Sequence, residues 1–256
     1  IVAGKCNQSK GSSSKGFHVS NVIENEDTVD SIVRKFWELE EFKNETTVIY
    51  NEEQQKCEEK FKESVRRLPS GRFEVSLPFK SDPNLLGSSF DTAKRRFLAL
   101  ERKLSKDKIM REMYHDFMKE YVDLGHMAIT DNCIPNFPHY FIPHQCVLRP
   151  QSTTTKLRVV FDASSRTSSQ ISLNDLLMVG PTVQEELYST LIRFRFHKFV
   201  ITADIEKMYR QVLVGENDRD FQLILWRQNP SDSLQVYRLN TVTYGTSSAP
   251  FLAIRC

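Results

Sequence analysis

The hydrophobic pattern changes period at Gly125, and this change most constrains the fold. Before it, apolar residues recur every three to four positions among many charges. Phe90, Ala93, Phe97, Leu100 and Leu104 make one helical stripe, and Cys57, Phe61, Val65 and Leu68 make another. Asn51 followed by Gln54 has the spacing of a capping box, which starts the second stripe. Val29, Ile32, Val33, Phe36 and Trp37 share a further face. A helix is expected from about Lys108 to Leu124, closed by Gly125, because glycine takes the left-handed conformation of a helix C-terminus without strain. After Gly125 the chain is punctuated by Pro135, Pro138, Pro143 and Pro150 and reads as extended segments. A chain that is helical first and strand-rich later belongs to the α+β class.

Finer elements follow from the same rules. Arg72 to Leu77 alternates like a short strand. Tyr140 to Leu148 and Leu157 to Ala163 read as a hairpin across the polar tip at 151–155. Thr182, with Glu185 three residues on, is expected to cap a helix whose Leu187, Leu191, Ile192 and Phe194 face a core. Phe199 to Ala203 reads as a buried strand ending on Asp204. Phe221 to Trp226 and Gln235 to Val242 read as an antiparallel pair. Residues 1–16 turn from apolar to Ser/Gly/Lys-rich, a linker composition. The expected organisation is a linker over 1–26, a mostly helical region over 27–125 and a strand-rich domain over 126–256.

Composition excludes several classes. The net charge is +2, so a nucleic-acid contact would have to come from local basic patches. No apolar run reaches the ~18 residues of a membrane span, and the first residues lack the apolar core of a signal peptide. Five scattered cysteines, an odd number, argue against a disulfide framework and for a reducing, cytoplasmic setting. The start on Ile1 suggests a piece of a longer product.

The chemistry-bearing residues cluster late. Asp204 closes an apolar strand, and a rigidly held carboxylate suits Mg²⁺, which takes hard oxygens in octahedral geometry. Lys156 and Arg158, two apart on a strand, project from one face and could grip a polyphosphate, with Arg149 across the hairpin. Tyr209 could close a sugar pocket, and Gly245 would let a backbone come close to a base or strand. Each also has an ordinary reading: a capping Asp, a solvated strand face, a core ring, a turn. Cys133, His139, His144 and Cys146 could ligate zinc, but the spacing is not a standard one and core cysteines and strand-end histidines are the simpler reading.

Taken together these stretches resemble the reverse transcriptase of BEL/Pao-type LTR retrotransposons. The resemblance rests on Tyr121 to Met127, Lys156 to Ser164, Ser172 to Leu177, Gly180 to Gln184, Ala203 to Gln211 and Asn240 to Gly245, and covers roughly residues 30–256. The first four residues look like the tail of a preceding aspartic protease. The resemblance implies right-hand polymerase fingers and a palm with an antiparallel sheet, here truncated. It implies two-metal nucleotidyl transfer with Mg²⁺ or Mn²⁺ on a template–primer of RNA or DNA, using deoxynucleoside triphosphates. Carried over, Asp204 and the Ile205 carbonyl would bind metal, Lys156 and Arg158 the triphosphate, Tyr209 would exclude a ribose 2′-hydroxyl, and Gly245 would border the templating pair. The family's Tyr-x-Asp-Asp turn is not among the 256 residues, nor are thumb, RNase H or integrase. Asp162, Asp218 and Asp220 do not replace that turn, and Cys146 stands near a fingers position where a small neutral residue is expected. The expectation is therefore a polymerase fragment that is inactive without the rest of its polyprotein and binds no metal tightly by itself. The alternatives are a non-enzymatic nucleic-acid-binding or interaction remnant and a pseudogene product.

Overall fold

The computed structural model divides the chain into two compact units, residues 1–48 and 49–256. It describes residues 50–130, 138–149, 151–152 and 157–256. The 1–26 linker, the Val29–Trp37 stripe, Cys133 and Lys156 lie outside them.

Some of the helices start where side chains can replace the missing backbone acceptors. In α1 (Glu52–Ser64) the Asn51 side chain accepts from the Gln54 amide at 2.8 Å, and the Gln54 side chain accepts from the Asn51 amide at 3.0 Å. α2 (Phe90–Leu104) buries Ala93, Phe97, Leu100 and Leu104. α3 (Lys108–Asp123) is capped by Asp107, whose carboxylate accepts from the Met110 amide at 2.9 Å. It ends as its sequence requires. Gly125 adopts φ +68°, its amide donates to Val122 O at 2.9 Å, and the His126 amide donates to Tyr121 O at 2.8 Å. That termination turns the chain directly into the strand at Met127–Ile129.

The fold is α+β with small sheets. β1 (Arg66–Arg67), β2 (Phe73–Val75) and β6 (Leu213–Val214) form one sheet, antiparallel between β1 and β2 and parallel between β2 and β6. β3 (Met127–Ile129), β8 (Gln235–Leu239) and β7 (Leu223–Trp226) form an antiparallel sheet in that order. β4 (His144–Leu148) and β5 (Leu157–Phe161) form the expected hairpin, with Cys146 opposite Val159 and Val147 opposite Arg158. α2 packs on β4 and β7, and α3 on β5 and β3. One buried cluster spans both the helices before Gly125 and the strands after it. Its centre is aromatic: Phe97, Tyr114, His144 and Trp226 meet at ring separations of 5.4–6.0 Å.

Four further α-helices lie among the described residues: α4 (Leu173–Leu176), α5 (Leu187–Phe196), α6 (Met208–Gln211) and α7 (Ala249–Arg255). Here two sequence expectations are corrected. α5 follows Glu186 with no side-chain cap, so Thr182 does not begin it, and it buries none of its residues. The segment Phe199 to Ala203 is not a strand, and Phe199 and Ile201 are 83% and 93% exposed. The physical reason is shared. An apolar stripe is buried only against a partner, and among the described residues no strand pairs with 199–203.

Candidate nucleotide site

Strand β5 is the foundation. Leu157, Val159 and Phe161 point into the core, so Arg158 projects from the opposite, exposed face. Asp162, at the strand's end, is held by the Arg96 guanidinium and accepts from the Ser164 amide at 3.1 Å. Its carboxylate is thus engaged in the hairpin's own structure.

The turn carrying Gly245 packs on the end of β5. Gly245 has φ +105°, and a Cβ there would lie 2.1 Å from the Phe161 carbonyl oxygen. Both facts demand glycine. Asn174, on α4, locks the arrangement. Its amide donates to the Gly245 carbonyl at 3.0 Å and to Ser164 Oγ at 2.8 Å, and its carbonyl accepts from the Ser247 amide at 2.8 Å. The neighbouring Tyr244 ring lies 5.2 Å from Phe161 and 6.3 Å from Tyr209. Burial pushes the Tyr244 phenol above its ordinary value, so it stays neutral.

Tyr209 is half-buried on α6, which begins after Lys207. Lys207 takes φ +52°, a left-handed conformation uncommon for a residue with a side chain. Lys207 Nζ lies 2.9 Å and Arg210 Nη1 2.7 Å from the same carboxylate oxygen of Glu120, on α3. Burial works against the Glu120 charge, but the bonds from Lys207 and Arg210 outweigh it and hold the carboxyl below its usual range. The Arg210 guanidinium also lies 4.2 Å over the Tyr121 ring.

The structure therefore brings together Gly245, Tyr209 and the strand that bears Arg158, from three stretches far apart in sequence. Asp204 and Ile205 stand apart from that packing: both are exposed, and Ile205 borders a shallow cleft with Phe73 and Met208. Asp204 carries a carboxylate, a hard-oxygen group of the kind that Mg²⁺ takes, but one exposed carboxylate falls short of a protein cage. Among the described residues no group of three or more His, Cys, Asp or Glu is placed to hold a metal. His144, one of the residues weighed as a zinc ligand, has both ring nitrogens engaged, by Tyr114 and by the Leu225 carbonyl. Cys57, Cys146 and Cys256 are free thiols. Among the described residues no helix is long and apolar enough to cross a membrane.

Sequence reasoning missed Asn174, Tyr244, Glu120 and Arg210. Asn174, Arg210 and Tyr244 lie inside stretches that carry the family resemblance, and Glu120 immediately precedes another. Asn174's partner at Gly245 and Arg210's at Glu120, however, are 71 and 90 residues away. Comparison with family models and with curated proteins found no match for this chain.

Proposed function

We propose that this chain is the fingers and first part of the palm of an RNA-directed DNA polymerase of the BEL/Pao retrotransposon type. The observation that carries the reading is the packing of the Gly245 turn on the end of β5. Gly245, whose φ and closeness to the Phe161 carbonyl both favour glycine, sits against the strand's backbone; Tyr209 lies one ring away through Tyr244, and the exposed Arg158 stands on the strand's other face. A triphosphate and its sugar call for groups of these kinds: cations for phosphate, an aromatic wall for the deoxyribose and backbone close enough to border a base. Lys156 and Arg158 bind the triphosphate in this reading, Tyr209 checks the sugar, and Asp204 with the Ile205 carbonyl supplies protein ligands to a divalent ion. When bound, that ion contributes charge neutralisation at the phosphates. The chain's own residues orient the nucleotide and exclude the 2′-hydroxyl.

A second reading, a nucleic-acid-binding protein without catalysis, is favoured by one observation: Asp204 lies in an exposed segment outside any paired strand. The two readings separate on ligand choice. In equilibrium dialysis with Mg²⁺ at low salt, the polymerase reading expects deoxynucleoside triphosphate to bind. It also expects Arg158→Ala and Lys156→Ala to weaken that binding. Binding of an RNA–DNA hybrid with none of the triphosphate would favour the second reading and sink the first.

A further inference from the structure

We infer that Arg210 is the positioning residue of the turn 204–209, acting through Glu120 and Tyr121 on helix α3. The inference rests on the reading above only in taking that turn, with Asp204 and Tyr209, as part of a nucleotide site.

The need for such a residue is visible in the backbone. The segment before the turn has no strand partner among the described residues, and the turn passes through Lys207 at φ +52°. A conformation that costs energy persists only where the surroundings hold it. Arg210 supplies the hold from both ends of its own residue. Its guanidinium donates to Glu120 at 2.7 Å and lies over two rings of α3, Tyr121 at 4.2 Å and Phe117 at 5.1 Å. Its backbone carbonyl accepts from Arg72 Nη2 at 2.7 Å, and Arg72 Nε donates to the next carbonyl, Gln211, at 3.2 Å. Lys207 shares the Glu120 oxygen from the other side of the turn. The carboxylate thus gathers Lys207, near the end of that turn, and Arg210, just past it, onto a helix that is itself anchored in the core through Tyr114, Met118 and Tyr121.

The chemistry explains the residue type. A planar guanidinium can stack on a ring with its face while its edge donates to a carboxylate, and an ammonium cannot do both. The Arg210 side chain is only 12% exposed, so water competes weakly for either contact. Lys207, more exposed at 31%, meets more competition from water for the same oxygen. Tyr121 also faces Tyr244, so the hub that seats the turn is continuous with the ring that separates Tyr209 from β5.

The test is hydrogen exchange by mass spectrometry on the full chain, comparing peptides over 207–212 with peptides from the β7–β8 hairpin. Arg210→Met and Glu120→Gln should each speed exchange over 207–212 by about tenfold while leaving the hairpin unchanged, as local loosening does. Arg210→Lys, which can still reach Glu120 but cannot also stack, should restore part of the protection. Unchanged exchange over 207–212, acceleration spread evenly over the chain, or an Arg210→Lys variant no better than Arg210→Met would overturn the inference. Triphosphate binding is measured on the same proteins. Faster local exchange in variants whose parent binds no triphosphate would uphold the positioning role and remove the nucleotide-site reading instead.

Discussion

Gly245 and Phe161, far apart in the chain, are pressed together until no side-chain atom fits between them. A Cβ on Gly245 would come within 2.1 Å of the Phe161 carbonyl oxygen, and φ is +105°. Gly245→Ala should therefore cost about 2–5 kcal/mol, overpacking adding to backbone strain. Gly71 is the control: φ is +83°, but nothing lies within 4 Å of its Cβ position. Gly71→Ala should cost only the strain, about 1–2 kcal/mol. Urea midpoints of the two variants check this, and equal losses would show that the contact with Phe161 is unimportant.

A second expectation concerns acid. His144 Nε2 donates to the Leu225 carbonyl at 2.8 Å, since a carbonyl can only accept, and Nδ1 therefore accepts from the Tyr114 hydroxyl. Burial pushes His144 down to about 4, and burial, then the nearby Arg210 charge, pushes His126 to about 4 also. Both are bases whose folded values lie below the ordinary 6.5. The unfolded chain thus takes up protons first as pH falls. Stability from the neutral rings is full above about pH 6.5 and is lost progressively toward pH 4. The slope is at most about 1.4 kcal/mol per pH unit for each histidine. Urea unfolding between pH 7 and 4 should show it, and His144→Gln should flatten part of the slope. A slope identical in the variant would mean that His144 titrates normally.

Much of this architecture is legible in the sequence because its causes are local. The capping box at Asn51, the Gly125 termination and the stripe through Phe97 and Leu100 need only near neighbours, and the β4–β5 hairpin needs only a tip. Within 187–203 the expected helix forms, but the burial expected of it and the strand expected at 199–203 do not, for the complementary reason. Their apolar pattern says that they are able to be buried, not that a partner exists, and among the described residues none covers Leu187 or Ile201. At the candidate site, Gly245 and Tyr209 were readable as special types. Asn174 and Arg210 were not, because a polar residue declares its role only through the group it meets. Those groups lie across the fold.

Tyr209 gives a third expectation. Its ring is half-buried and lies 6.3 Å from Tyr244, which limits its freedom to swing away from a bound sugar. If it excludes a 2′-hydroxyl, it does so by contact, which an apolar pocket without contact cannot do strongly. Tyr209→Ala should reduce the preference for deoxy- over ribonucleoside triphosphate by about tenfold or more in competition binding. Tyr209→Phe should keep the preference, since the ring and not the hydroxyl makes the contact. An unchanged preference in Tyr209→Ala would remove the assignment.

The last expectation is that these 256 residues alone do not extend a primer. Transfer by two metal ions needs carboxylates to bridge and separate them, and here Asp204 is a single exposed carboxylate. Asp162 is engaged by Arg96, Asp218 accepts from the Leu77 amide at 2.7 Å, and Asp220 pairs with Arg238. None of the three is free to replace a second metal ligand. Each electrostatic contribution lost from a phosphoryl-transfer transition state is worth several kcal/mol, or orders of magnitude in rate. Hybrid binding should nevertheless persist at low salt through Arg158 and Lys156, and fall steeply as salt rises because it rests on phosphate contacts. Primer extension on an RNA template with Mg²⁺ or Mn²⁺, beside Asp204→Asn, checks the expectation. Extension that the parent performs and the Asp204→Asn chain does not would place a working set of metal ligands within these residues, and the account of Asp204 as a lone carboxylate would be wrong.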